Sequence, residues 1–295
     1  SRKFVRSMRT RHPERMCVIR KIIQLVSGLL FIGLACVFVL NLFVPPPTAD
    51  AAGVQTGARC DPAASGATGR QSFTSKRGLP IVVVTPTDYD GVHRYGLLVM
   101  FPPAGFNSKA SEQFYQLTQP ATAAGYLIAF SDAVPLSKAA INVQGEVVNE
   151  VASRWCIDVG RIVLAGHSDG GSLAQGVVLR QAVGEIKPSA IFSSAAGINS
   201  TDLQTESCPT TRRVSVVHSG RDERFPNFGR GVADWWARCF ACKPLPAIPQ
   251  GQVCVDTNSC AEGGAVRYCE TNSTHAQLPP TFQEEIGRFL RETKQ

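Results

Sequence analysis

Residues 161–171 read Arg-Ile-Val-Leu-Ala-Gly-His-Ser-Asp-Gly-Gly, and no other stretch limits the possible folds so tightly. Residues 162–165 form a continuous apolar run bounded by polar positions, the pattern of a parallel strand buried on both faces. Gly166-His167-Ser168-Asp169-Gly170 follows at once, a G-x-S-x-G, and residues 172–180 have helical character. A strand, a Gly-flanked turn carrying serine, and then a helix make up the context of a nucleophile elbow. The glycines are expected to let the backbone take a strained turn and to let neighbouring elements approach. The helix that follows aims its N-terminal amides at the serine, where negative charge would be stabilised.

The rest of the chain repeats the alternation. Apolar strand runs are predicted at 81–84, 97–101, 126–130, 190–192, 214–217 and 266–268. Helices are predicted at 111–124, 141–155, 231–238 and 282–291. Strands interleaved with helices give an α/β class: a mostly parallel, doubly wound sheet covered on both faces, with ligands at the C-terminal strand ends.

A serine hydroxyl is a poor nucleophile until a base takes its proton, and the base needs an orienting carboxylate. In the α/β-hydrolase arrangement the order along the chain is Ser, acid, His. Only His218 and His275 follow Ser168. His218 ends the 214–217 strand, and the loop just beyond it holds Asp222, where the orienting acid belongs. His275 sits in a polar loop between the last strand and the last helix, where the base should hang. The predicted triad is therefore Ser168, Asp222 and His275. His218 is read as a structural neighbour and His167 as a packed residue turned away from the nucleophile. An oxyanion needs two preset N–H donors. One is expected at the Asp169 amide and the other in the loop after 97–101. Pro102 and Pro103 lack an N–H, so Ala104, followed by Gly105, offers the first free donor there.

The N-terminus has a separate logic. The net charge of +7 is misleading, because residues 1–21 hold eight Lys or Arg against Glu14 alone. The remaining 22 basic and 22 acidic residues cancel, so nothing marks the globular part as a nucleic-acid binder. Residues 22–44 carry no charge over 23 positions, about 34 Å as a helix and enough to cross a bilayer. Basic residues before the span place that end in the cytoplasm and all that follows outside. Two readings remain: a retained membrane anchor, or a signal peptide cut after Ala49-Asp50-Ala51. Both export the remainder, to the periplasm or beyond. Residues 45–78, opening on three prolines and then rich in small residues, read as a flexible linker, with the catalytic domain at 79–295. Eight of the ten cysteines lie in the exported part, an even number that suggests disulfides. Cys239-Phe-Ala-Cys242 has the spacing of a zinc ligand pair, but an oxidising compartment and the lack of a second such pair argue against metal.

With these residues in view, a resemblance can be stated. Tyr89-Asp90, the 97–107 stretch, Trp155-Cys-Ile-Asp158 with Arg161, Gly166-His-Ser-Asp-Gly-Gly171, His218-Ser-Gly-Arg-Asp222 with Pro226, and His275 resemble the poly(3-hydroxybutyrate) depolymerase and feruloyl esterase-like family of secreted α/β-hydrolases. The likeness spans roughly residues 79–292. It implies the α/β-hydrolase fold and a Ser–His–Asp carboxylesterase needing no cofactor. It also implies a Cys242–Cys260 bridge. Cys254 and Cys269 flank a predicted hairpin and are candidates to bridge across it. Pro102-Pro103 stand where the family usually has His-Gly, the 131–141 segment is short, and no polymer-binding module follows Arg291. Soluble or oligomeric hydroxyalkanoate esters are therefore the expected substrates. A feruloyl or acetyl-xylan type esterase is the alternative. An inactive hydrolase fold serving as an envelope binding protein is the alternative from another class.

Overall fold

The apolar run at 162–165 lies inside an 11-residue strand, Ile157–His167. Its side chains divide between two cores: Ile162 and Leu164 join one, Val163 and Ala165 the other. Alternation with every position buried explains why the run is apolar throughout.

The computed structural model describes residues 59–294 apart from 61, 185 and 258. Its strands are β1 (Arg70–Thr74), β2 (Pro80–Val84), β3 (Tyr95–Phe101), β4 (Tyr126–Ser131), β5 (Ile157–His167), β6 (Ala190–Ser194), β7 (Arg213–Ser219), β8 (Cys254–Thr257) and β9 (Ala265–Thr271). Its helices are α1 (Ser108–Tyr115), α2 (Thr118–Ala123), α3 (Lys138–Ala152), α4 (Asp169–Leu179), α5 (Phe228–Cys239) and α6 (Pro280–Glu292). Among the described residues the strands form one sheet in the order β1-β2-β4-β3-β5-β6-β7-β9-β8. The six central strands, from β4 to β9, are parallel, and antiparallel strands close both edges.

Helices cover the two faces. The apolar sides of α3, α4 and α5, through residues such as Val147, Leu173 and Trp236, pack into one core. Tyr115 at the end of α1, Leu117 just after it and α6 pack into the other. In α6 the buried Phe282, Ile286, Phe289 and Leu290 recur at helical spacing.

Two expectations need correction. The predicted 111–124 helix is two helices. Gln116 takes a left-handed conformation (φ 51°) that ends α1, and a continuous helix would press the Pro120 ring onto the carbonyl four residues back. The folded part also begins before Leu79, inside the predicted 45–78 linker. Strand β1 pairs with β2, Cys60 is bridged to Cys156, and the Trp155 indole donates to the Ala67 carbonyl at 3.1 Å. In β1 only Phe73 is apolar, so this edge strand is held by backbone bonding that leaves no hydrophobic period in the sequence. The short edge strand β8 is the first arm of the hairpin predicted between Cys254 and Cys269. The predicted span at 22–44 lies outside the described residues, among which no helix is long and apolar enough to cross a membrane.

All eight cysteines of the described region are bridged: Cys60–Cys156, Cys208–Cys239, Cys242–Cys260 and Cys254–Cys269. The implied 242–260 bridge and the hairpin bridge are both present, the latter between directly opposed residues of β8 and β9. The two cysteines of Cys239-Phe-Ala-Cys242 thus go to different partners, and neither is a thiolate free to hold zinc. Four disulfides fit folding in an oxidising compartment.

Candidate active site

Ser168 stands between β5 and α4 at φ 58° and ψ −123°. A positive φ costs a residue with a Cβ on the order of 1–3 kcal/mol and persists only where the surroundings impose it. Those surroundings are tight. A Cβ on Gly166 would lie 2.2 Å from the Gly170 carbonyl carbon, and one on Gly170 would lie 2.2 Å from the Phe101 carbonyl oxygen. The glycines of the motif therefore serve close approach, while the strained torsion falls on serine itself. The Ser168 amide donates to the Ser194 carbonyl at the end of β6, at 2.9 Å.

Strands β7 and β9 are parallel neighbours with His218 opposite Glu270 and Ser219 opposite Thr271. The loops that follow them therefore leave the same edge of the sheet as the elbow. The first carries Asp222 and the second His275. Ser168 Oγ lies 2.9 Å from His275 Nε2, and His275 Nδ1 lies 2.9 Å from Asp222 Oδ2. A carboxylate only accepts, so Nδ1 carries the proton and Nε2 is left to accept from the serine hydroxyl. The other Asp222 oxygen accepts from the Arg224 and Phe225 amides, each at 2.9 Å. Burial works to raise the Asp222 pKa, but the His275 hydrogen bond and these amides outweigh it and hold the carboxyl below its ordinary value. Asp222 is 3% exposed, and Ser168 and His275 8% each.

The other two histidines are neighbours of this chain of bonds. His218 donates through Nε2 to the Phe225 carbonyl at 2.8 Å and lies 3.9 Å from Asp222. Burial pushes its pKa down. His167 is buried and pushed down to about 4 by desolvation, so its ring is neutral at ordinary pH. Its Nε2 lies 2.8 Å from the His275 carbonyl oxygen and its Nδ1 3.0 Å from the Ser194 hydroxyl. The carbonyl can only accept, which puts the proton on Nε2 and makes Nδ1 the acceptor from Ser194. No sequence pattern pointed to Tyr115. Its hydroxyl donates to the Phe101 carbonyl and accepts from the His167 amide, both at 2.8 Å, tying the end of β3 to the elbow. Ser194 was findable only as a polar residue at the end of a predicted strand.

Asp169 is the first residue of α4, where an amide has no intrahelical acceptor. Ala104 lies in an exposed turn in which the Phe106 amide donates to the Pro103 carbonyl at 3.1 Å. That turn leaves β3 where Phe101 and Pro102 abut Gly170, and the Ala104 amide has no acceptor among the described residues. Half-buried aromatic rings pack on both site histidines, Phe225 on His275 at 5.1 Å and Phe114 on His167 at 5.5 Å. A cleft of about 580 Å³ lies elsewhere, lined by Val178, Val183, Lys187 and Pro209 at the N-terminal ends of β6 and β7. Ligands of such sheets bind at the C-terminal ends, so the site is placed by its chemistry and not by that cleft.

Fold and strand order define an α/β-hydrolase fold, and the solved structures agree. An acetyl xylan esterase from Aspergillus awamori superposes with a TM-score of 0.56 at 12% identity, covering 75% of this chain and 99% of its own. An esterase from Thermogutta terrifontis gives 0.56 at 14% identity, with 76% and 92% covered. A glucuronoyl esterase from Solibacter usitatus gives 0.55 at 12%, with 80% and 85% covered. At these identities the likeness is one of fold. No protein-family model matches the chain, and no curated protein matches it either.

Proposed function

We propose that this chain is an exported serine carboxylesterase acting through Ser168, His275 and Asp222. The observation that carries the reading is the unbroken hydrogen-bond chain from the Ser168 hydroxyl through His275 to the buried Asp222 carboxylate. As Ser168 Oγ attacks an ester carbonyl, its proton passes to His275 Nε2, and Asp222 supports the imidazolium that forms. The same proton then goes to the departing alcohol oxygen as the acyl-enzyme is left behind. Water, deprotonated by His275, releases the acid and restores the serine. The oxyanion is assigned to the Asp169 amide at the head of α4 and to the Ala104 amide.

Two finer readings divide the substrate. The motif resemblance favours soluble or oligomeric hydroxyalkanoate esters. The neighbours described as acetyl xylan and glucuronoyl esterases favour esters carried on plant-wall carbohydrate, the feruloyl or acetyl-xylan type reading. A panel of hydroxybutyrate oligomers against acetyl and feruloyl esters separates them. Four disulfides support export, and the 22–44 segment would then be either a membrane anchor or a cleaved signal.

Ser168→Ala is expected to lower hydrolysis of short p-nitrophenyl esters roughly 10⁴-fold or more without loss of folding. A fluorophosphonate should label the native chain and not the variant. A folded native chain that takes no label and hydrolyses no ester would instead be the inactive binding protein.

A further inference from the structure

His275 sits on irregular backbone between β9 and α6, so something other than secondary structure must aim its ring. Its amide is held by the exposed Glu223 carboxylate at 3.2 Å, a bond open to competition from water. The carbonyl of Ser273, two residues earlier, accepts from the Ser219 hydroxyl. The His275 carbonyl itself is held by His167 Nε2 at 2.8 Å, in a bond buried on both sides. His167 is the residue immediately before the nucleophile. One ring therefore ties the elbow backbone to the backbone of the base, and its far nitrogen is fixed in turn by the Ser194 hydroxyl at 3.0 Å.

We propose that His167 is a positioning residue: through the His275 carbonyl it sets the height of the base imidazole between Ser168 and Asp222. The proposal rests on the triad reading above. The two rings are 5.7 Å apart, so the effect runs through the backbone and His167 exchanges no proton with substrate. An apolar residue at 167 would leave a buried carbonyl and a buried hydroxyl unpaired. Small displacements of a catalytic group are costly, as much as a hundredfold for about 1 Å.

Two polar substitutions separate positioning from packing. In His167→Gln the side-chain amide nitrogen reaches about as far as Nε2 and still donates to the His275 carbonyl. In His167→Asn the side-chain amide reaches only as far as Nδ1, where its oxygen accepts from the Ser194 hydroxyl and nothing donates to the His275 carbonyl. The Asn variant is expected to lose about tenfold in kcat with KM within about twofold, and the Gln variant to keep most of the native kcat. Proton NMR gives a second readout independent of turnover. The downfield resonance of the His275 Nδ1–H held by Asp222 should persist in the native chain and the Gln variant and be broadened or lost in the Asn variant. Asn and Gln variants alike in kcat and in that resonance would overturn the proposal. A native chain that hydrolyses no ester would overturn the esterase reading instead, and the resonance would then decide the role of His167 alone.

Discussion

The two halves of the candidate site are held by different means. From Gly166 to Gly197 there is no cysteine, and Ser168 is set by backbone packed so closely that three of its glycines could not carry a side chain. From Cys208 to Cys269 there are three disulfides, bracketing the loop of Asp222 and running up to the strand that delivers His275. The contrast follows from range. The turn of an elbow is drawn by residues within a few positions of one another, and the Phe101 and Ser194 backbones packed against it enforce it by steric exclusion. The Asp222 loop has a local turn, its carboxylate accepting from the Arg224 and Phe225 amides, but Asp222 and His275 meet only through a contact between remote parts of the chain. Bridges lessen the conformational freedom the unfolded chain would otherwise regain there.

That comparison can be broken at each half. The largest effect is expected from Gly170→Ala, whose Cβ would meet the Phe101 carbonyl oxygen at 2.2 Å. Both partners are backbone and neither can yield cheaply, so a loss of about 4 kcal/mol or more is expected, read as lost soluble protein or a much lower Tm. A native-like Tm would mean that the elbow is looser than its packing implies. On the other half, replacing Cys254 and Cys269 together with serine opens a 15-residue loop and should cost about 3 kcal/mol, roughly 6–12 °C in Tm. Fluorophosphonate labelling of Ser168 at low temperature should survive, because the elbow does not depend on that bridge. Labelling lost in a protein still folded would show that the halves are not independent.

The smallest effect concerns acid, and it touches both halves through one buried histidine each. His167, with an ordinary value of 6.5, is lowered to about 4 by burial, and His218 is lowered for the same reason. Above pH 6.5 neither folded nor unfolded chain protonates them. Between about 6.5 and 4 the unfolded chain protonates the His167 imidazole while the folded chain does not, so stability falls as pH drops through that window, by roughly 1–3 kcal/mol, and His218 acts in the same direction. Tm measured from pH 7 to pH 4.5 should show the decline, and His167→Gln should flatten it. An unchanged slope in that variant and in His218→Gln would place the acid sensitivity elsewhere.

Much of the site was legible before any coordinates. The apolar run ending in G-x-S-x-G located Ser168, the proposed nucleophile, and the order Ser, Asp, His selected Asp222 and His275, which the fold brings beside it, over His218. Those signals survive in sequence because strand, turn and helix each impose a period or a residue type. Strand β1 left no such trace, since edge pairing uses backbone groups that every residue has. The break at Gln116 was equally hidden, because a non-glycine residue in a left-handed conformation is chosen by its surroundings. His167 was legible as a packed residue, yet not as the donor to the His275 carbonyl. That contact joins positions 108 residues apart through a main-chain oxygen, which no side-chain pattern can advertise.

Residue order alone thus determined the α/β class, the elbow and the identities of the three side chains that meet there, because these depend on local periodicity and chain order. Tertiary structure decided how Cys60, Cys156, Cys208 and Cys239 pair, where the folded part begins, and which groups hold the His275 loop in place. Those outcomes turn on distances between remote parts of the chain, and such distances exist only once the sheet has brought its C-terminal strand ends together.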